Sequence, residues 1–235
     1  MQTNAFPLVI FEAPAGVEPH WLVEPPLDGE PPPPSSLRRP VGVACFFHGA
    51  NQQASWTGEE GKAHFWTELL RRGYVCIAFK SAAKAWDMRA EDRDAAYVKA
   101  SLAAIRDRYG IADLPSVYFG FSSGTGPASV LGFADPTCVG VALFCAPGNA
   151  STARLTRRRL PVLIAWHEDD DTVEPGTIRE KIDQVWRVET LADIRESHFR
   201  NGGHAVRAKH HTAVFDHLNL DGPSPRSEVV GARAA

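Results

Sequence analysis

The 235 residues carry 25 Lys and Arg against 28 Asp and Glu, a net charge of −3 with the signs interspersed, so neither nucleic acid nor an anionic membrane finds a basic surface here. No apolar run approaches the roughly 20 residues that a membrane-spanning helix needs, and the length suits one α/β domain with a single large core, expected over 1–235. The first residues lack a basic stretch followed by an apolar one, and Cys45, Cys76, Cys138 and Cys145 show no C-x-x-C spacing; the expectation is a cytoplasmic protein with free, buried thiols.

Two short β-like pieces, 6–11 and 21–23, precede a segment, 25–40, in which four consecutive prolines impose an irregular or polyproline-II connection. From residue 41 onward, short β-branched and aromatic runs alternate with longer amphipathic ones. The runs 41–47, 74–79, 117–119, 139–144, 160–166 and, more weakly, 194–199 read as strands. Between them, 59–72 gathers Phe65, Trp66, Leu69 and Leu70 on one face, and 91–109 does the same with Val98, Leu102, Ile105 and Tyr109. Both read as helices, stopped by Gly73 and Gly110. Further helices are predicted at 124–133, 174–188 and 205–218, and 222–235 as a loose tail. Alternating strands and helices imply a mostly parallel sheet covered on both faces.

In such a sheet, functional groups gather at the C-terminal ends of the strands. The run 117–119 leads into Gly120-Phe121-Ser122-Ser123-Gly124, a G-x-S-x-G pentapeptide that lifts a serine oxygen out of a sharp strand-to-helix turn where a base can reach it. Ser122 is therefore the candidate nucleophile. The other strand ends supply His48-Gly49-Ala50, the acidic stretch His167-Glu168-Asp169-Asp170-Asp171-Thr172-Val173, and Asn201-Gly202-Gly203-His204. An imidazole near neutral pKa can take a serine proton and return it to a leaving group, which makes His204 the candidate base. His210, His211 and His217 fall on the helix predicted after it and are expected to play helix-surface roles. The acidic stretch also admits a divalent-metal reading, since oxygen ligands are dense there.

The order serine, acid, histidine is that of the α/β-hydrolase arrangement. Over 41–218 the chain resembles the α/β-hydrolase superfamily, and within it the small serine esterases of the dienelactone-hydrolase and depolymerase-like branches. The resemblance implies the fold, a Ser122–Asp170–His204 triad and an oxyanion hole made by the backbone N–H groups of Ala50 and Ser123. The family's Gly-x-x-Asp-x-x-Val pattern puts the acid at Asp170, three residues before Val173. His167 stands where that pattern has glycine, so Asp169 or Asp171 holds the position instead if the loop is shifted. Trp86, after the strand 74–79, either lines the acyl or alcohol pocket or packs.

The expected activity is cleavage of small-molecule carboxylic esters through an acyl-enzyme, with no metal and no organic cofactor. A thioesterase or peptidase using the same triad, and a non-catalytic binding protein that keeps the fold, are the alternatives; a scaffold built on 25–40 explains none of the strand-end residues. Many related hydrolases insert a cap after the strand that here is 139–144. Only 145–159 separates it from the next strand, so no large cap and a preference for short, soluble esters are expected.

Overall fold

The computed structural model describes residues 8–11, 20–23, 40–50, 60–72, 74–81, 85–86 and 93–220. The proline-rich segment and the predicted tail lie outside the described residues, residue 40 excepted. An eight-stranded sheet runs through the molecule in the order β1-β2-β4-β3-β5-β6-β7-β8. Its strands are β1 (Leu8–Phe11), β2 (His20–Val23), β3 (Gly42–Phe47), β4 (Tyr74–Phe79), β5 (Ser116–Phe121), β6 (Cys138–Phe144), β7 (Pro161–His167) and β8 (Asp193–Phe199). β1 pairs antiparallel with β2, and β2 with β4, while β3 to β8 form a parallel block of six.

The alternation of side chains along each strand divides the core into two layers. Val43, Cys45, Phe47, Ile77, Tyr118, Leu143, Ile164 and Trp166 face one side, where α2 (Arg93–Tyr109), α3 (Thr125–Ala134) and α5 (Pro175–Lys181) contribute Val98, Ile105, Leu131 and Ile178. Ala44, Phe46, Cys76, Phe119, Phe144 and Leu163 face the other, under Phe65 and Leu69 of α1 (Glu60–Arg71) and Val214 and Phe215 of α7 (His211–Leu218). Burial on both faces explains why β3 and β4 read as continuous apolar runs.

Between β6 and β7 lies a single six-residue helix, α4 (Ser151–Thr156), so no large cap is inserted there. After α5 the helix loosens into one π turn, Ile182–Trp186, and ends as α6 (Arg187–Glu189). The last helix corrects the sequence reading. It begins at His211, after a 3₁₀ turn at Ala208–His210, and 205–207 is not helical. His210 is consequently no surface residue: it is 1% exposed. The four cysteines are buried and in no disulfide, and no helix of the described residues is long and apolar enough to cross a membrane.

Candidate active site

Ser122 follows the last residue of β5 and takes a φ of +53°, a left-handed conformation that costs a residue bearing a Cβ about 1–2 kcal/mol. A 3₁₀ turn, Ser122–Gly124, then passes directly into α3, with the Thr125 hydroxyl donating to the Ser122 carbonyl at 2.7 Å. The flanking glycines make the sharp turn sterically feasible. A Cβ at 120 would lie 2.4 Å from the Gly124 carbonyl oxygen and 2.7 Å from Thr125 Cα, and one at 124 would lie 2.4 Å from the carbonyl oxygens of both Phe47 and His48. Strand, helix and the loop after β3 meet at van der Waals distance around this serine.

That loop is His48-Gly49-Ala50. His48 is fully buried, and its tautomer follows from its partners. The Ser81 N–H donates to Nε2 at 2.9 Å, which leaves Nδ1–H to donate to the Gly49 carbonyl at 2.5 Å. With the Gly49 carbonyl held this way, the N–H of Ala50, antiparallel to it in the same trans peptide, faces the opposite direction. The loop runs against the elbow: a Cβ on Gly49 would meet Phe121 Cδ1 at 3.0 Å and Ser122 Cβ at 3.2 Å. Trp86 braces it from the other side. Its indole N–H donates to the His48 carbonyl at 2.8 Å, and its ring lies 4.7 Å from the His48 ring and 5.3 Å from Phe47.

The acidic stretch after β7 sends its three aspartates to three different places. Asp170 Oδ1 accepts the backbone N–H of Thr172 (2.9 Å) and Val173 (3.0 Å), which locks the turn and aims the carboxylate at His204. His204 Nδ1 donates to it at 2.8 Å (Oδ2) and 3.0 Å (Oδ1). The Asp170 side chain has no exposed surface, whereas that of His204 keeps 16%. Asp169 is exposed and accepts the N–H groups of Gly202 and Gly203, fastening the loop that carries His204; the Gly203 and Gly202 donors hold its carboxyl below the usual range. Asp171, also exposed, accepts the hydroxyl of Thr172. The acidic residues diverge rather than converge on one point.

His204 sits over Phe121, ring centroids 5.0 Å apart, which brings it to the residue preceding Ser122. Among the described residues no hydrogen bond joins Ser122 Oγ to the imidazole. Such contacts commonly tighten only when substrate is bound.

His167, which occupies the position of the expected glycine, supports the loop that carries His204. Its Nδ1–H donates to the Gly203 carbonyl at 2.9 Å, so its Nε2 must accept, and His210 Nε2 donates to it at 3.1 Å. His210 Nδ1 then accepts from the Ser197 hydroxyl at 2.9 Å. A one-way chain Ser197→His210→His167→Gly203 results, and it requires both imidazoles to be neutral. Burial makes this the favoured state: it lowers His167 below the ordinary histidine value and, with the His167 neighbour, brings His210 to about 3. The bulk displaced by His167 is accommodated at Gly202, where a Cβ would lie 2.3 Å from the His167 ring.

One residue escaped the sequence reading. Cys145 follows β6 with a φ of +60°, is 1% exposed, and donates weakly from Sγ to the Ala205 carbonyl at 3.4 Å. Its sulfur, a carboxylate oxygen of Asp170 and a ring nitrogen of His204 all lie within 4.8 Å of one another. Its place at a strand end was the available signal, obscured because its neighbours Phe144 and Ala146 make it look like core.

A parallel sheet in this strand order, an antiparallel second strand, and a serine elbow between the fifth strand and the helix that follows define the α/β-hydrolase fold, and the chain has that fold. Compared by sequence, it matches no family model and no curated protein. Among solved structures it is similar to a serine hydrolase without a lid from Xanthomonas campestris, at 13% identity and a TM-score of 0.62, covering 94% of this chain and 97% of that one. It is similar also to dienelactone hydrolase from Anabaena variabilis (16% identity, TM-score 0.61, 92% and 96% covered) and to an S-formylglutathione hydrolase from Agrobacterium tumefaciens (13%, 0.63, 87% and 90%). At these identities the likeness is one of fold.

Proposed function

We propose that this protein is a serine hydrolase that cleaves short-chain carboxylic esters through an acyl-enzyme. The observation that carries the reading is the hydrogen bond between the buried Asp170 and His204, on two loops fastened to each other through Asp169, with His204 against Phe121, the residue before a serine in the left-handed elbow conformation. In the first half-reaction Ser122 Oγ attacks the ester carbonyl while His204 Nε2 takes its proton. Asp170 fixes the ring with Nδ1 protonated, leaving Nε2 free to accept, and stabilises the imidazolium. The oxygen that becomes negative is received by the N–H groups of Ala50 and Ser123, each worth about 3–4 kcal/mol of transition-state stabilisation in sites of this kind. His204 then protonates the leaving alcohol, and water repeats the sequence to release the acid. Trp86 enters as the brace of the oxyanion loop. No step calls on a metal or cofactor.

Similarity to a lidless serine hydrolase and the short β6–β7 connection support an open site without an apolar cover for long chains. A series of p-nitrophenyl esters tests this. Turnover is expected to be highest at acetate to butyrate and to fall by at least about a thousandfold in Ser122→Ala. A clear optimum at long acyl chains, or a Ser122→Ala enzyme within tenfold of the original, contradicts it.

A further inference from the structure

We propose that Cys145, Asp170 and His204 form a binding site for a soft divalent cation of the zinc and cadmium type, and that occupation of this site switches the hydrolase off. The inference rests on the hydrolase reading above for its consequence, though not for the binding itself.

The donor set is one that a metal of this class prefers: a thiolate, an imidazole nitrogen and a carboxylate oxygen, on three separate elements and within 4.8 Å of one another. Bonds of about 2.0–2.3 Å in tetrahedral array put ligand atoms roughly 3.5 Å apart, so closure by about 1 Å completes three sides of the site and leaves the fourth to water. The side chains can make that movement. Cys145 Sγ makes a long, weak contact to the Ala205 carbonyl, one that a small side-chain movement exchanges for a metal bond. Among the described residues no backbone N–H donates to Asp170 Oδ2, whereas two donate to Oδ1, so Oδ2 has a lone pair to offer in addition to its His204 bond. His204 keeps an exposed edge through which an ion can enter. On binding, the Cys145 thiol loses its proton to solvent and its sulfur becomes a ligand; no electrons are transferred.

Inhibition follows from the chemistry of the imidazole whichever nitrogen the ion takes. Bound at Nε2, the ion occupies the lone pair that is to accept the Ser122 proton. Bound at Nδ1, it forces the ring's remaining proton onto Nε2, which again cannot accept. The site and the working base are therefore mutually exclusive states of one histidine, and protons compete with the metal for both His204 and Cys145.

The test has a binding arm and an activity arm. Cadmium titration of the metal-free protein, followed by the ultraviolet cadmium–thiolate charge-transfer band and by metal analysis after equilibrium dialysis, is expected to give one ion per chain. The band should persist in Ser122→Ala and vanish in both Cys145→Ser and Cys145→Ala. Zinc should inhibit ester hydrolysis, and each Cys145 variant, measured against its own metal-free rate, should need more than about tenfold higher zinc for half-inhibition. No band in the original protein, a band that survives in either Cys145 variant, or unchanged zinc sensitivity in both overturns the proposal. Because Ser122→Ala reports the site without turnover, an absence of hydrolysis in the original protein would strike the hydrolase reading and leave the binding result standing.

Discussion

Replacing Gly202 by alanine loads the loop that carries His204 at a point where nothing can yield cheaply. The added Cβ would lie 2.3 Å from Cδ2, 2.4 Å from Nε2 and 2.6 Å from Cε1 of His167, over 1 Å inside ordinary carbon contact. The ring cannot rotate away without breaking its bonds to the Gly203 carbonyl and to His210. Overpacking of this kind costs about 1–3 kcal/mol, and the rigidity of the ring argues for the upper end. The strain must then be taken up by the loop 201–204, and a displacement of about 1 Å at a base costs on the order of a hundredfold in turnover. Steady-state hydrolysis of p-nitrophenyl acetate and urea denaturation, measured for Gly202→Ala, His167→Ala and the double variant, form a cycle that isolates this contact. Gly202→Ala alone should lose about a hundredfold in kcat with KM little changed. In the His167→Ala background the same substitution should be nearly neutral. A Gly202→Ala enzyme within threefold of the original, or an equal loss in both backgrounds, refutes the reasoning.

Asn substitutions along the acidic stretch should separate three roles that composition cannot. Asp170→Asn is expected to lower kcat/KM by about 10⁴-fold, because an amide there favours the wrong imidazole tautomer; Asp169→Asn loosens the loop and should stay within about a hundredfold, and Asp171→Asn within about twofold. Stability should decline in acid in two windows. His210 folds with its pKa brought down from 6.5 to about 3, so the unfolded chain binds the extra proton first: the contribution is complete above about pH 6.5 and is lost toward pH 3, at up to about 1.4 kcal/mol per pH unit, and His210→Gln should flatten that slope in urea melts at successive pH values. Asp135 behaves as a paired carboxylate: although burial works against its charge, hydrogen bonds from Arg106, Ser116, the Thr137 N–H and Tyr118 bring it to about 2, so about 2 kcal/mol is present above pH 4 and lost as pH falls to 2, a loss that Asp135→Asn should abolish.

Five of the six parallel strands, β3 to β7, were legible because each is buried on both faces, and the sixth, the largely exposed edge strand β8, gave the weaker signal; the predicted runs coincide with β3 to β8 within about two residues. The elbow was legible because its two glycines answer a local demand that their neighbours reveal. Identical residues in a row are different: Asp169, Asp170 and Asp171 have the same chemistry, and only the turn closed by the Thr172 and Val173 N–H groups decides which one faces His204. His210 was misread because the periodicity of the last helix extends through 205–210, whereas Arg207 to His210 form a turn whose direction is set by contacts with β7 and β8. Arg158, within Arg157-Arg158-Arg159, looks like part of a solvated basic patch, yet it donates to the carbonyls of Gly132, Phe133, Asp135, Pro136 and Cys138 and closes the end of α3. Such long-range polar partners leave no periodic trace. The exchange of bulk between His167 and Gly202 is of the same kind, visible only once the two loops are side by side.

The most direct measurement is to treat the protein with a serine-directed fluorophosphonate and to locate the adduct by peptide mass spectrometry. A hydroxyl becomes reactive toward this reagent only when a base takes its proton and an oxyanion hole receives the phosphoryl oxygen, so labelling reports the assembled site without assuming a substrate. The expected result is one adduct per chain on Ser122, absent in Ser122→Ala and strongly slowed in His204→Ala. No adduct on the folded protein, or an adduct on Ser123 or any other serine, would contradict the assignment of Ser122 as the nucleophile of a serine hydrolase.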